Sequence, residues 1–500
     1  MSTRRQTMIQ LGAAGASLLL PRAAFPAADE DSFQLGEWTG DSFAPMHAIR
    51  DGKWNRPLPT PERRVEVAVV GGGIAGLAVA SMLDDLDLVL LEREAELGGN
   101  AKSGNWRGVD YALGSAYFVE VSGSFGKFYE RIGVVPRPVP EPSDRMLTDA
   151  PDSLDALEGT LRKPFAQLRK HLAAVAASPD YPKIPIGDAT AAALALDRIS
   201  FLDYLEQQHV DPRLFGLIDA YCYSALGAGV GQISAYAGVN FYSEIAGRIY
   251  AFPGGNAVLA RTMVNRVSRA GAGRLVTGAA VFAVEPAEGG LARIGWFDAA
   301  RAGEPRCIAA RWVVVAAPFF FAGRILRGID PKVAATMTGL SQGSYLVANC
   351  CFEGRVTPSA YDSWTPGNPA FPDVVDATAA LPAWSRPADQ GVLTVYAPFQ
   401  DPAQGRNLLL AGDRKALAGP IVAGLKHFLP DAFAKAQLAE VRLTRWGHQL
   451  LISRPGMITQ MRAMPRRFGN VLLAHSDGQG MPAVESAIAE ALHAAATIRG

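Results

Sequence analysis

The stretch VAVVGGGIA at residues 67–75, closed by Gly76, decides the fold. Val65, Val67, Val69 and Val70 form a nearly continuous apolar run, the pattern of a parallel strand covered on both faces. Gly71 permits a tight turn, Gly73 lets the backbone approach a phosphate, and Gly76 lets the helix beginning near Ile74 and Ala75 pack closely on the sheet. That helix N-terminus offers unpaired N–H groups and a positive dipole end to phosphate oxygens. A second apolar run, Leu88–Leu91, ends in Glu92, about twenty residues beyond Gly71, where a carboxylate can hold ribose hydroxyls. Glu94 is the rival acid, but Glu92 ends the run directly. Because glycine makes up 51 of the 500 residues, the triplet alone would carry little weight. Strand, triplet, helix, strand and acid in series predict a dinucleotide site, with a glycine-rich turn in an ordinary βαβ unit as the alternative.

Length and composition narrow the class. A chain of 500 residues has core enough for two or three domains, and no run reaches the roughly 18 to 20 apolar residues that span a bilayer. Arg4 and Arg5 precede a modestly apolar segment at residues 8–20, and small residues follow at Ala27 and Ala28. This reads as a twin-arginine signal over residues 1–28, which exports folded proteins and implies a periplasmic or otherwise exported product. Without the leader's three arginines, 45 basic residues face 48 acidic ones, a balance that leaves no footprint for nucleic acid. Cys222, Cys307, Cys350 and Cys351 are too few and scattered for a disulfide framework and read as buried thiols. The seven histidines are isolated, so no metal site is expected.

Beyond Glu92 and Arg93 the chain runs through Gly98, Gly99, Asn100, Ala101, Lys102 and Ser103 to Gly108, Val109, Asp110, Tyr111 and Gly114. This order resembles the FAD-binding fold shared by flavin amine oxidases, polyamine oxidases and phytoene-desaturase-like enzymes. The resemblance recurs at Phe252, Pro253, Gly254, Gly255 and Asn256, and at the strand 312–316 entering Ala317 and Pro318. It recurs again where the buried run 471–474 passes through His475, Ser476, Asp477, Gly478, Gln479 and Gly480 to a helix near Pro482. The implied fold is α/β, a discontinuous Rossmann-like FAD-binding domain with an inserted mixed-sheet and helical substrate domain. The corresponding segments are a proline-rich extension (29–64), FAD-binding pieces (65–135, 247–321 and 455–500) and substrate-domain pieces (136–246 and 322–454). Expected cofactor contacts are Gly71, Gly73, Ile74, Ala75, Gly76, Glu92, Arg93, Gly98, Gly99, Asn100, Gly114, Ser115, Val281, His475, Asp477, Met481, Pro482 and Ala483. Many relatives carry Arg where Asn100 stands, so a charged phosphate contact is missing or replaced. The C-terminal flavin segment has no cysteine, which implies non-covalent FAD.

The resemblance implies a flavoprotein oxidoreductase that oxidises a primary or secondary amine, polyamines included, by hydride transfer to the flavin and hydrolysis of the imine. Tyr242 and Trp446 are the expected aromatic flanks of the flavin face, with ordinary core packing as the alternative for each. His448 is a candidate base, Tyr117 a candidate lining residue and Glu120 a candidate partner for a distal ammonium. No lysine of the kind relatives place near flavin N5 is found in residues 341–356, which favours an exported electron acceptor over oxygen. A desaturase or isomerase of an apolar substrate, and a non-enzymatic flavin redox or assembly protein, are the competing readings.

Overall fold

The computed structural model describes residues 33–147, 161–301, 303–356 and 360–500. The segment read as an export signal lies outside the described residues. No helix among them is long and apolar enough to cross a membrane.

Two sheets organise the molecule. In the first, Arg63–Val70 pairs in parallel with Leu88–Leu91 on one side and with Arg306–Val315 on the other, and Val471–Leu473 continues in parallel beyond. Segments some 400 residues apart in sequence therefore share one sheet, and an antiparallel flap of Ala279–Glu285 and Ala292–Asp298 extends it. From Val67 onward the strand Arg63–Val70 is apolar on both faces because both are covered there. Val67 and Val69 pack with Leu77, Leu259 and Ile488 from the helices Ile74–Met82, Ala257–Arg269 and Val484–Arg499. Val65, Ala68 and Val70 face the opposite cluster.

The second sheet carries the substrate domain, in the order Gln34–Leu35, Gln437–Leu451, Gln342–Glu353, Gln390–Pro398, Asp373–Asp376, Asp362–Trp364 and Asp144–Met146. Side chains of Gln342–Glu353 alternate as a strand requires. Leu346, Ala348, Cys350 and Phe352 pack against the helix Arg414–Phe428, whereas Tyr345 and Val347 face the opposite side beside Trp446. Cys350 and Cys351 accordingly point to opposite faces, and all four cysteines are free and buried. The helices Phe201–Gln207, Phe215–Leu226 and Ala235–Tyr242 cover the far end of the domain.

From residue 33 the proline-rich extension 29–64 is a strap joining both domains. Gln34–Leu35 and Thr39–Gly40 pair with Gln437–Leu451. Asp41 accepts from Arg93 Nη2 at 2.8 Å with one carboxylate oxygen and from the Gly447 N–H at 3.0 Å with the other. Ser42 donates from its N–H and hydroxyl to Glu94 Oε1 at 3.1 and 3.0 Å. The helix Ala44–Arg50 follows, and Trp54 then stacks on Phe297 of the flap, centroids 3.7 Å apart. Asp41→Ala should remove both carboxylate ties and speed release of a bound cofactor about tenfold, a rate measurable by fluorescence after dilution.

Candidate active site

The glycine turn is built as its sequence requires. Gly71 has φ of 107°, a conformation L side chains rarely adopt, and a Cβ on Gly76 would stand 1.9 Å from the Gly71 carbonyl oxygen. Glu92 accepts from the Gly72 N–H at 2.6 Å with one oxygen and from the Glu94 N–H at 2.9 Å with the other, so the acid also fixes both loops. The paired-glycine loop docks on this turn, with the Gly98 N–H donating to the Gly72 carbonyl at 2.7 Å.

A cavity of about 380 Å³ runs along these loops. Its walls include Gly71, Gly73, Ile74, Ala75, Glu92, Arg93, Gly99, Asn100, Ser115 and Val281, with His475, Pro482 and Ala483 at the far end. There the helix Val484–Arg499 begins without a side-chain cap on its first N–H groups. A glycine cradle, a ribose-side acid and an uncapped helix end along one groove fit an extended dinucleotide such as FAD.

A second cavity, about 390 Å³, adjoins the first. Asn100, Ser115, Trp446, Gln449, Leu450, Pro482, Ala483 and Val484 line both, so the reacting end of a bound cofactor would be reached from this second space. One sheet face forms part of its wall, presenting Trp446, Tyr345, Val347, Tyr396 and Asp373 from four neighbouring strands. The rings are held in place by hydrogen bonds. Trp446 Nε1 donates to the Leu113 carbonyl at 2.8 Å, Tyr396 donates to the Gly114 carbonyl at 2.7 Å, and Tyr345 donates to the Tyr223 and Ser224 carbonyls at 2.6 and 2.8 Å.

Four carboxylates line this second cavity: Glu120, Glu244, Asp373 and Glu485. Glu485 accepts from the Val119 and Glu120 N–H groups at 2.8 and 2.9 Å. Tyr117 donates to Glu244 at 2.8 Å, and burial pushes Glu244 up to about 8 despite that hydrogen bond. Asp373 is 4% exposed and its Oδ1 has no hydrogen-bond partner. Asp362, on the adjoining strand, likewise has an unpartnered Oδ1. Burial pushes both carboxyls upward, and the charge of Asp373 adds to the rise at Asp362.

The structure also relocates several expected residues. Tyr242 lines neither large cavity; it is 2% exposed and packs against Tyr221 with centroids 5.0 Å apart, because its helix turns that face into the core. His448 lines the cofactor cavity, not the second one, and stacks on Phe320. Burial, then the Arg406 charge, pushes it down to about 4, which makes it a poor proton acceptor. Asp477 is spent on the Phe319 N–H at 2.8 Å and does not line the cavity, and Met481 is fully buried in the core. Arg93 lines the cavity, but its guanidinium is engaged by Asp41, the Ser42 carbonyl and Glu94. Glu120 sits at an exposed rim with its carboxylate bound by Ser122, while Tyr117 lines the second cavity. Gly76 and Gly98 act through close packing behind the cavity wall, and Gly114 faces the second cavity. Sequence reasoning missed Glu244 and Asp373, for which no local pattern exists.

The fold and the paired cavities define a two-domain protein with a discontinuous, FAD-binding type of Rossmann-like domain and a separate substrate domain. Residues 69–132 match the family described as NAD(P)-binding Rossmann-like domain. Over 88% of its length the chain is 21% identical to Oxidoreductase PigB of a Serratia species, covering 78% of that protein. Among solved structures it resembles putrescine oxidase bound to putrescine, with 17% identity, a TM-score of 0.64 and coverage of 87% of this chain and 99% of that one. It also resembles cyclohexylamine oxidase from Brevibacterium oxydans, with 19% identity, a TM-score of 0.63 and coverage of 87% and 98%. These likenesses establish the shared fold.

Proposed function

We propose that the protein is a FAD-dependent oxidoreductase that oxidises an amine, with FAD bound non-covalently. The observation that carries this reading is the second cavity, where aromatic rings and carboxylates converge beside Trp446 at the inner end of the cofactor groove. Aromatic faces and carboxylates both favour a cation, whereas a desaturase of an apolar substrate has no use for the carboxylates. FAD, when bound, supplies the two-electron acceptor for hydride from the amine α-carbon. The chain's own residues hold the amine, exclude water and take up its proton. Tyr345, Tyr396 and Trp446 are pre-oriented by their hydrogen bonds, so little ordering is needed on binding. Glu244 is the proton acceptor in this reading, positioned by Tyr117.

A second charge on the substrate suits Asp373. Its strand lies three strand spacings from that of Trp446, about 14 Å across the sheet. That span accommodates a polyamine better than a short monoamine.

Anaerobic mixing of the FAD-loaded protein with putrescine, spermidine and simple monoamines, followed by flavin bleaching, tests the reading. Bleaching by no amine would overturn it. The Glu244 carboxyl ionises as pH rises through about 8, so the bleaching rate should climb over that range and level off above it. Glu244→Gln should remove this limb and slow bleaching by about 100-fold.

The electron acceptor in this proposal is an exported partner other than oxygen, supported by the lysine-free strand Gln342–Glu353. Reoxidation by oxygen as fast as turnover would refute that part. Export through the twin-arginine machinery is proposed on Arg4 and Arg5. Retention of a reporter in the cytoplasm when fused behind residues 1–28 would refute it.

A further inference from the structure

The cofactor groove contains a cation with no partner among the described residues. Lys102 lines the groove and is only 8% exposed, yet its ammonium makes no hydrogen bond or ion pair with the described residues. Its stem is buried while the ammonium faces the open groove, so the charge is held where an anion lying along that groove would meet it.

Its position says which anion. Lys102 follows the paired-glycine loop, and its Cγ lies 3.3 Å from where a Cβ on Gly98 would stand. Gly98 in turn bridges to Gly73, the residue that opens the helix Ile74–Met82. Lys102 therefore stands beside the turn whose N–H groups suit phosphate oxygens. Its backbone is fixed there, the Leu113 N–H donating to the Lys102 carbonyl at 3.0 Å.

The other cations of the groove are committed or peripheral. Arg93 is held by Asp41 and Glu94, Arg50 pairs with Asp51, and Arg406 donates to the Gln342 carbonyl. Arg445 lies over the rings of Trp38 and Phe43, and Arg324 is exposed.

We propose that Lys102 is the cation that neutralises the cofactor's diphosphate, supplying two residues further along the charge that Asn100 lacks. This rests on the FAD reading above. The test measures dissociation constants of FAD and of riboflavin, which has no phosphate, for the wild-type apoprotein and for Lys102→Gln, Lys102→Met and Lys102→Arg.

Lys102→Gln and Lys102→Met should weaken FAD binding by about 30-fold or more while changing riboflavin binding by less than about threefold. Lys102→Arg should keep most of the affinity, and raised salt should weaken FAD binding more in the wild type than in Lys102→Gln. Apo Lys102→Met should melt close to the wild-type apoprotein, because the ammonium bonds to none of the described residues and methionine keeps the buried stem, so lost affinity will not reflect unfolding. An unchanged FAD constant, or equal losses for FAD and riboflavin, would overturn the assignment while leaving the FAD reading intact. A wild-type protein that binds riboflavin but not FAD, or neither, would overturn both.

Discussion

Asp373→Asn is expected to lower the second-order rate constant for oxidation of a long dicationic amine by about 100-fold while changing that for a monoamine by less than about threefold. The asymmetry follows from position. Asp373 lines the second cavity far from the cofactor groove and carries an unpartnered oxygen, so a distal ammonium gains a charge-assisted bond that a monoamine never makes. Losing one partner of an enclosed charge pair costs about 2–5 kcal/mol, which sets the scale.

The same substitution should help the empty protein at high pH. Burial raises Asp373 in the folded state above its unfolded value, so the neutral carboxyl's contribution is complete below about pH 4 and is lost as pH rises through the folded value. Asparagine does not ionise. The variant should therefore melt above the wild type at pH 9, with the difference shrinking towards pH 5. Equal losses for monoamines and dicationic amines would remove Asp373 from substrate recognition.

Gly76→Ala is expected to yield protein that retains less than about a tenth of the wild-type flavin, read as the ratio of flavin to protein absorbance. The new methyl carbon would lie 1.9 Å from the Gly71 carbonyl oxygen, an overlap no rotamer relieves because both atoms are fixed by backbone. Either the helix Ile74–Met82 backs away from the sheet or the phosphate turn opens. Overpacking of this kind costs about 1–3 kcal/mol, or more where the backbone cannot move. Gly216 is the internal control. It lies exposed in the first turn of the helix Phe215–Leu226, and beyond its chain neighbours and its own helix backbone nothing stands within 4 Å of its Cβ position, so Gly216→Ala should be neutral or stabilising by about 0.5–1 kcal/mol.

The contrast between those two glycines shows what sequence could reveal. The dinucleotide turn was legible because its constraints are local: a strand, three glycines, a helix and an acid lie between Arg63 and Glu92. The long strand Gln437–Leu451 was not, because its first residues, QLAE, favour a helix. Its partner Gln342–Glu353 overrides that preference by burying Val441 and Leu443. Asp373 stands in a proline-rich stretch that resembles a surface loop, and only the sheet around it turns it into a buried carboxylate. Lys102 was visible as a residue, but its lack of a partner among the described residues is a three-dimensional fact.

Chain order gives the strap a temporal meaning. Thr39 bonds to the Thr444 hydroxyl, 405 residues further along. During translation, Asp41 and Ser42 can reach Arg93 and Glu94 early, but the strands Gln34–Leu35 and Thr39–Gly40 have nothing to pair with until residues 437–451 have emerged. Until then the strap is held on one side only, which gives the nucleotide a long interval for entry before the exit closes over it.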